Sequence, residues 1–216
     1  MTTIAILGAG RVGTAIARQA RRAGYRVLIA ASGDPADIAL IVAVMAPGAT
    51  PVTATAAADG GDAVVLSLPL RRYDTLDVGS LAGKVVIDAM NYWPDSDGDV
   101  VALRTAPSSS QMVQDSLPGT LVVKTLNHIG YHELETDNAP AGTPGRRALA
   151  VAGDDDRARA VVMDVIERLG YDAVDAGPLA AGVALEPGTE IFSGRHDRAA
   201  MTSLLAHARD TALTSG

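Results

Sequence analysis

Thr3-Ile4-Ala5-Ile6-Leu7-Gly8-Ala9-Gly10-Arg11-Val12-Gly13 joins a short β-branched run to three glycines in the spacing G-x-G-x-x-G. Thr3 to Leu7 has the composition of a strand buried on both faces. Arg11 to Ala23 then places Val12, Ala15, Ile16, Gln19, Ala20 and Ala23 at helical spacing, and Gly24 stops the helix. Alone, the glycine spacing carries little; between a strand and a helix it is the fingerprint of a dinucleotide-binding loop. Gly8 permits the tight turn, Gly10 lets a pyrophosphate approach the backbone, and Gly13 brings helix and strand together. The free N–H groups of the turn that Arg11 and Val12 open, with the positive end of the helix dipole, hold the phosphates.

Outward from this loop, strand-like and helix-like patterns alternate, which predicts a Rossmann-type, doubly wound α/β fold with a mostly parallel sheet. Arg26 to Ala31 reads as a second strand, Asp34-Pro35 starts a helix with Ile38, Ile41, Val42 and Met45 on one face, and Pro51 to Thr55 reads as a short third strand. Ala63 to Leu68, Lys84 to Ala89 and Leu121 to Thr125 follow as strands, with a helix over Ser108 to Leu117. Tyr92 to Asp99 has turn composition and reads as an exposed loop, as does Asn138 to Gly145. Ala148 to Val151 and Tyr171 to Val174 are strands on either side of a helix from Asp154 to Leu169; a last helix covers Asp197 to Thr211. The expected organisation is a single domain, with residues 1–180 forming the nucleotide-binding unit and 181–216 a short extension that binds the acceptor or dimerises.

The composition of the 216 residues narrows the function. Hydrophobic residues make up 48% and charged residues 20%, enough apolar material for a buried core. No cysteine is present, which excludes disulfides, thiolate metal sites and a cysteine nucleophile. The net charge of −7, with basic residues in runs no longer than Arg21-Arg22, Arg71-Arg72 and Arg146-Arg147, argues against a nucleic-acid partner. The longest strongly apolar stretch, Ile38 to Ala46, is far short of the roughly 18 residues of a membrane span. Met1-Thr2-Thr3 runs straight into a strand, without a basic region or cleavable apolar segment, so a cytoplasmic protein without a membrane partner is expected.

The end of the second strand bears on the choice of nucleotide. An NAD site places an acidic residue there for the ribose hydroxyls; here the chain reads Ala30-Ala31-Ser32-Gly33-Asp34. With Ala31 at the acidic position, repulsion of a 2′-phosphate is removed, and Ser32 and the N–H groups near Gly33 can receive it. Asp34 reads as the cap of the next helix. NADP is therefore expected ahead of NAD.

The order of motifs then resembles a known family. Gly8 to Gly13, Ser67-Leu68-Pro69, Asp88-Ala89-Met90-Asn91, Val123-Lys124-Thr125-Leu126-Asn127, Gly153-Asp154-Asp155 and Asp175-Ala176-Gly177-Pro178-Leu179 occur in the sequence of NADPH-dependent reductases of the deazaflavin coenzyme F420. The resemblance covers about residues 3 to 180. It implies that NADP lies across the strand ends and that F420 or a flavin, as co-substrate, stacks on the nicotinamide for direct hydride transfer. It further implies that Ser67, Leu68 and Pro69 close over pyrophosphate and ribose, that Met90 and Asn91 line the nicotinamide side, and that Asn127 and His128 sit beside the ring as candidate catalytic residues. A homodimer is also implied. The chain departs from the pattern at Leu126, where the family commonly has Phe, at Gly33, where members often have Arg, and at Gly182, Glu186-Pro187-Gly188 and Gly194, which interrupt the usual continuous helix.

Hydride transfer between two rings needs close stacking and exclusion of water more than acid–base help. His128 has two readings, a hydrogen-bond or proton partner of the acceptor and a structural residue closing a strand-end turn. Tyr92 and Trp93 likewise read either as an aromatic wall for a flat acceptor or as two side chains pinning a loop. Lys124 reads as structural; Arg71 and Arg72 read either as contacts to phosphate or adenine or, by default, as a solvated pair. The His128-x-x-x-His132 spacing lacks a third ligand, so no metal is expected. Two further functions stay open: a small NAD(P)-dependent dehydrogenase, and a dinucleotide-binding sensor without turnover.

Overall fold

The structure, a computed structural model, describes residues 3–214. Its strands are β1 (Thr3–Leu7), β2 (Arg26–Ala30), β3 (Thr50–Pro51), β4 (Ala63–Leu66), β5 (Val85–Asp88), β6 (Leu121–Lys124), β7 (Ala148–Gly153) and β8 (Asp172–Gly177). Its helices are α1 (Arg11–Arg22), α2 (Pro35–Met45), α3 (Ala54–Gly60), α4 (Val78–Leu81), α5 (Pro94–Asp97), α6 (Ser109–Ser116), α7 (Glu133–Thr136), α8 (Asp156–Arg168), α9 (Glu190–Ser193) and α10 (Arg198–Thr214). The strands form one sheet of order β3-β2-β1-β4-β5-β6-β7-β8. All neighbours pair in parallel except β6 and β7, which are antiparallel. This is the doubly wound fold expected, with the order reversing between β1 and β4, where such sheets open a ligand crevice at their carboxyl ends.

Alternate residues of each strand enter two layers. Ile4 and Ile6 face the layer that α1 and α8 cover through Ile16, Val162 and Ile166. Ala5 and Leu7 face the opposite layer, with Ala57 and Ala58 of α3 and Met112 and Val113 of α6. A third cluster lies where β7 and β8 meet Leu185, Ile191, Met201 and Leu205. The stretch expected as an extension therefore packs on the sheet. The boundary expected at 180 falls inside a 3₁₀ turn, Leu179–Leu185, that contributes Leu179 and Leu185 to buried clusters.

Three local expectations are corrected. Pro51 to Thr55 is not a strand beyond Pro51, because Thr53 Oγ1 accepts from Ala56 N (3.2 Å) and starts α3. Tyr92 to Asp99 is not a plain loop: buried Asp97 accepts from Trp93 N (2.9 Å) and Arg71 N (3.3 Å), folding 94–97 into one helical turn. On α2 only Val42 of the expected face is buried, while Ile41 and Met45 are exposed with Leu40 and Val44. The helix covers the sheet edge, where a two-residue β3 offers too little surface for a full apolar stripe.

Candidate active site

The turn after β1 is shaped by Ser67 at the end of β4. Ser67 Oγ donates to Gly8 O (3.1 Å), and Gly8 has φ +124°. A Cβ on Gly8 would collide with the Ser67 carbonyl, and one on Gly13 with the Gly8 carbonyl and Ser67 Oγ, so both positions are closed to side chains by their own neighbours. Gly10 is different: a Cβ there would meet nothing within 4 Å. What Gly10 keeps clear is the cleft itself. Gly10 caps α1 without a side chain, and α1 has no acid in its first turn, whereas α2, α8 and α9 each carry one. The first N–H groups of α1 thus face the cleft with no anion of the protein's own. A dinucleotide pyrophosphate fits this cradle by charge and by space.

Three hollows join into one groove along the strand ends. The first, about 420 Å³, contains Gly8, Gly10, Ala31, Ser32, Ser67 and Pro69. The second, about 440 Å³, shares Gly10, Ser67, Leu68 and Pro69 with it and adds Arg11, Val12, Met90 and Asn91. The third, about 670 Å³, continues from Val12, Asn91 and Trp93 to Asn127, His128 and Phe192. The structure therefore gathers the expected site residues into one groove, apart from Gly13, which serves packing, and Gly33, which stands just outside with φ +111°. Asp34 caps α2, its Oδ1 accepting from Ala36 N at 2.8 Å, as expected.

The floor between the second and third hollows is fixed by two asparagines. Asn91 Nδ2 donates to Asn127 O (2.8 Å), and Asn127 Nδ2 donates to Asn91 Oδ1 (3.0 Å) and to Leu185 O (2.6 Å). His128 Nδ1 lies 3.1 Å from Asn127 Oδ1, and its Nε2 accepts from Ala150 N at 3.0 Å. That acceptor role puts the ring proton on Nδ1. The ring is buried, and burial first, then the charges of Arg147 and Lys124, lower its pKa to about 3. His128 is thus a neutral, doubly engaged ring.

Below this floor lies a buried ion pair. Lys124 Nζ stands 3.3 Å from Asp88 Oδ2, and neither side chain reaches solvent. Lys124 Nζ donates to Met90 O (2.6 Å), while Asp88 accepts from Met90 N (2.9 Å) and Ser110 Oγ (2.5 Å). Both polar groups of Met90 are gripped by the pair, which sets the backbone at the groove.

The two readings of the aromatic pair divide. Tyr92 donates to Gly98 O (2.8 Å) and packs into the core, so it pins the turn. Trp93 is 48% exposed and meets Phe192 edge-on at 5.8 Å, and the two form a wall of the third hollow. Tyr131 stands in the same hollow with Arg11 over its ring at 5.9 Å. No pattern in the sequence singles out Phe192 for this wall. It is the only Phe of the chain, in a glycine-interrupted stretch with no periodicity, and that uniqueness was the one available signal. Among the described residues no group of His, Asp and Glu is arranged to hold a metal, and no helix is long and apolar enough to cross a membrane.

Comparison with known proteins gives four findings. Residues 3–92 match the family described as NADP oxidoreductase, coenzyme F420-dependent. A hypothetical protein from Sinorhizobium meliloti is 28% identical, with 92% of this chain and 96% of that one covered and a TM-score of 0.79. A candidate F420-dependent NADP reductase from Arthrobacter is 26% identical, with 84% and 87% covered and a TM-score of 0.71. A 3-hydroxyisobutyrate dehydrogenase of Mycobacterium tuberculosis, 20% identical with a TM-score of 0.61, shares the fold over 85% of this chain and 57% of its own. Over residues 3–92 the chain is similar to the coenzyme F420-dependent NADP oxidoreductase family, and these likenesses group it with NAD(P)-dependent oxidoreductases.

Proposed function

We propose that the protein transfers a hydride between NADP(H) and a flat-ring acceptor, deazaflavin F420 or a flavin. The observation that carries this reading is the continuity of the groove from the phosphate cradle at Gly10, past Met90 and Asn91, to a wide hollow with an aromatic wall. When bound, NADPH supplies the hydride from its nicotinamide ring. Gly8, Gly10, Arg11 and Val12 hold the pyrophosphate, and Ser67, Leu68 and Pro69 close over it. Asn91 retains one amide hydrogen beyond its bond to Asn127 O and orients the nicotinamide amide. Trp93, Tyr131 and Phe192 exclude water from the acceptor ring and align it, which is where most of the barrier reduction for such a transfer arises. Asn127 and His128 act as positioning residues: their polar atoms are spent on Asn91, Leu185 and Ala150, and a ring with a pKa of about 3 stays neutral at neutral pH, keeping its single proton on Nδ1. A cytoplasmic homodimer belongs to the same proposal, supported by the apolar exposed flank of α2.

Anaerobic mixing of the protein with NADPH and oxidised F420 should bleach the visible band of the deazaflavin, with FMN run alongside. Trp93, the only Trp, reports nucleotide binding separately by fluorescence. Binding of NADPH without bleaching of either acceptor would count against the proposal and favour a small-molecule dehydrogenase or a sensor.

A further inference from the structure

Arg71 and Arg72 are adjacent in sequence, but the structure gives them different tasks. Arg71 is committed to the Trp93–Asp97 turn: its N–H donates to Asp97 Oδ1 (3.3 Å) and its guanidinium to Ser96 O (2.5 Å). Arg72 lines the first hollow together with Ala31 and Ser32. Among the described residues its guanidinium has neither a hydrogen bond nor an ion pair. The acid that shares this hollow is otherwise engaged, as is the one that follows β2. Asp77, which also lines the hollow, caps α4 by accepting from Gly79 N (3.0 Å), and Asp34 caps α2. The end of β2 lines the same hollow; an acid for ribose hydroxyls is replaced there by Ala31, and Gly33 supplies no cation. A side chain on Gly33 would also meet Asp37 Oδ2 at 3.5 Å.

An uncommitted cation thus shares a hollow with a wall from which the anion has been removed. We propose that Arg72, with the Ser32 hydroxyl, binds a phosphomonoester on the 2′-oxygen of the adenosine ribose and so sets the preference for NADP(H) over NAD(H). This rests on the groove being the dinucleotide site. The guanidinium fork suits phosphate oxygens in pairs. It approaches from the turn after β4, which compensates for the missing cation after Ser32.

The test measures binding of adenosine 2′,5′-bisphosphate and of 5′-AMP to the intact chain by calorimetry, so it needs no acceptor. The wild type is expected to prefer the bisphosphate, and Arg72→Ala to lose about 10- to 100-fold of affinity for it while binding of 5′-AMP changes little. Arg72→Lys, with the charge but not the fork, should fall between them. An unchanged preference in Arg72→Ala would overturn the inference, and so would an equal loss for both ligands. Failure of the wild type to bind 5′-AMP, the bisphosphate and NADPH alike would instead overturn the reading of the groove, and the inference with it.

Discussion

At the residue scale the end of β6 turns on Leu126, which adopts φ 65° while buried. A bulky residue in that region carries strain of about 1–3 kcal/mol. It is held there because the next two side chains are tied to Leu185 O and Ala150 N, so the strained turn delivers Asn127 and His128 to fixed partners. The His128 ring has a consequence for stability. Its pKa is about 3 when folded, against an ordinary value near 6.5, so between these pH values the unfolded chain takes up a proton that the native state refuses. Stability from this residue is complete above pH 6.5 and is lost as the pH falls towards 3, at up to about 1.4 kcal/mol per unit. Urea unfolding of the wild type and of His128→Gln across that window should differ in slope by about one proton, whereas parallel slopes would assign the acid sensitivity to other groups. Gly8, Gly10, Gly13 and the cap at Asp34 were legible in the sequence because backbone geometry and local hydrogen bonds dictate them. For Arg72 the sequence offers a contact to phosphate or adenine only beside the default of a solvated pair, since the task proposed for it depends on a wall that lies about 40 residues earlier in the chain.

At the scale of elements, the ends of β5 and β6 are joined by Lys124 and Asp88 as well as by the strand ladder. Removing one partner leaves a buried charge without compensation, and Lys124→Met should cost about 3–5 kcal/mol in denaturant unfolding. Adding Asp88→Asn to Lys124→Met should recover part of this, since the orphaned charge is then gone. A double variant with strictly additive losses would show that the two residues do not act as a pair. The strands and the longer helices α1, α2, α6, α8 and α10 could be read from apolar runs and caps, whereas the short helical turns could not. Among these, α3 is built from Ala54, Ala56, Ala57 and Ala58, which show no large apolar period, and its β-branched cap Thr53 imitates a strand residue. The antiparallel β7 was equally illegible, because direction in a sheet is not encoded in the apolar pattern of a strand.

At the scale of the whole molecule, α2 exposes Leu40, Ile41, Val44 and Met45 with only Asp37 as a charge in its first turn. Light scattering of the purified chain should give a dimer, and Val44→Glu should shift it to monomer; a wild-type monomer at working concentration would remove the homodimer from the proposed function. The reversal at β7 shapes the molecule further. Because β7 runs back, Arg147, just before its first residue, lines the groove, where the Arg147–Asp197 bridge brings in the stretch bearing Phe192. One groove is thus assembled from two lengths of chain: the glycine cradle proposed to hold the nucleotide from residues before 92, and much of the wide third hollow from residues after 125. Such a division lets each half change at its own pace in evolution. A lineage could exchange one acceptor for another through substitutions at positions such as Leu126, Tyr131 and Phe192 and inherit its nucleotide cradle intact.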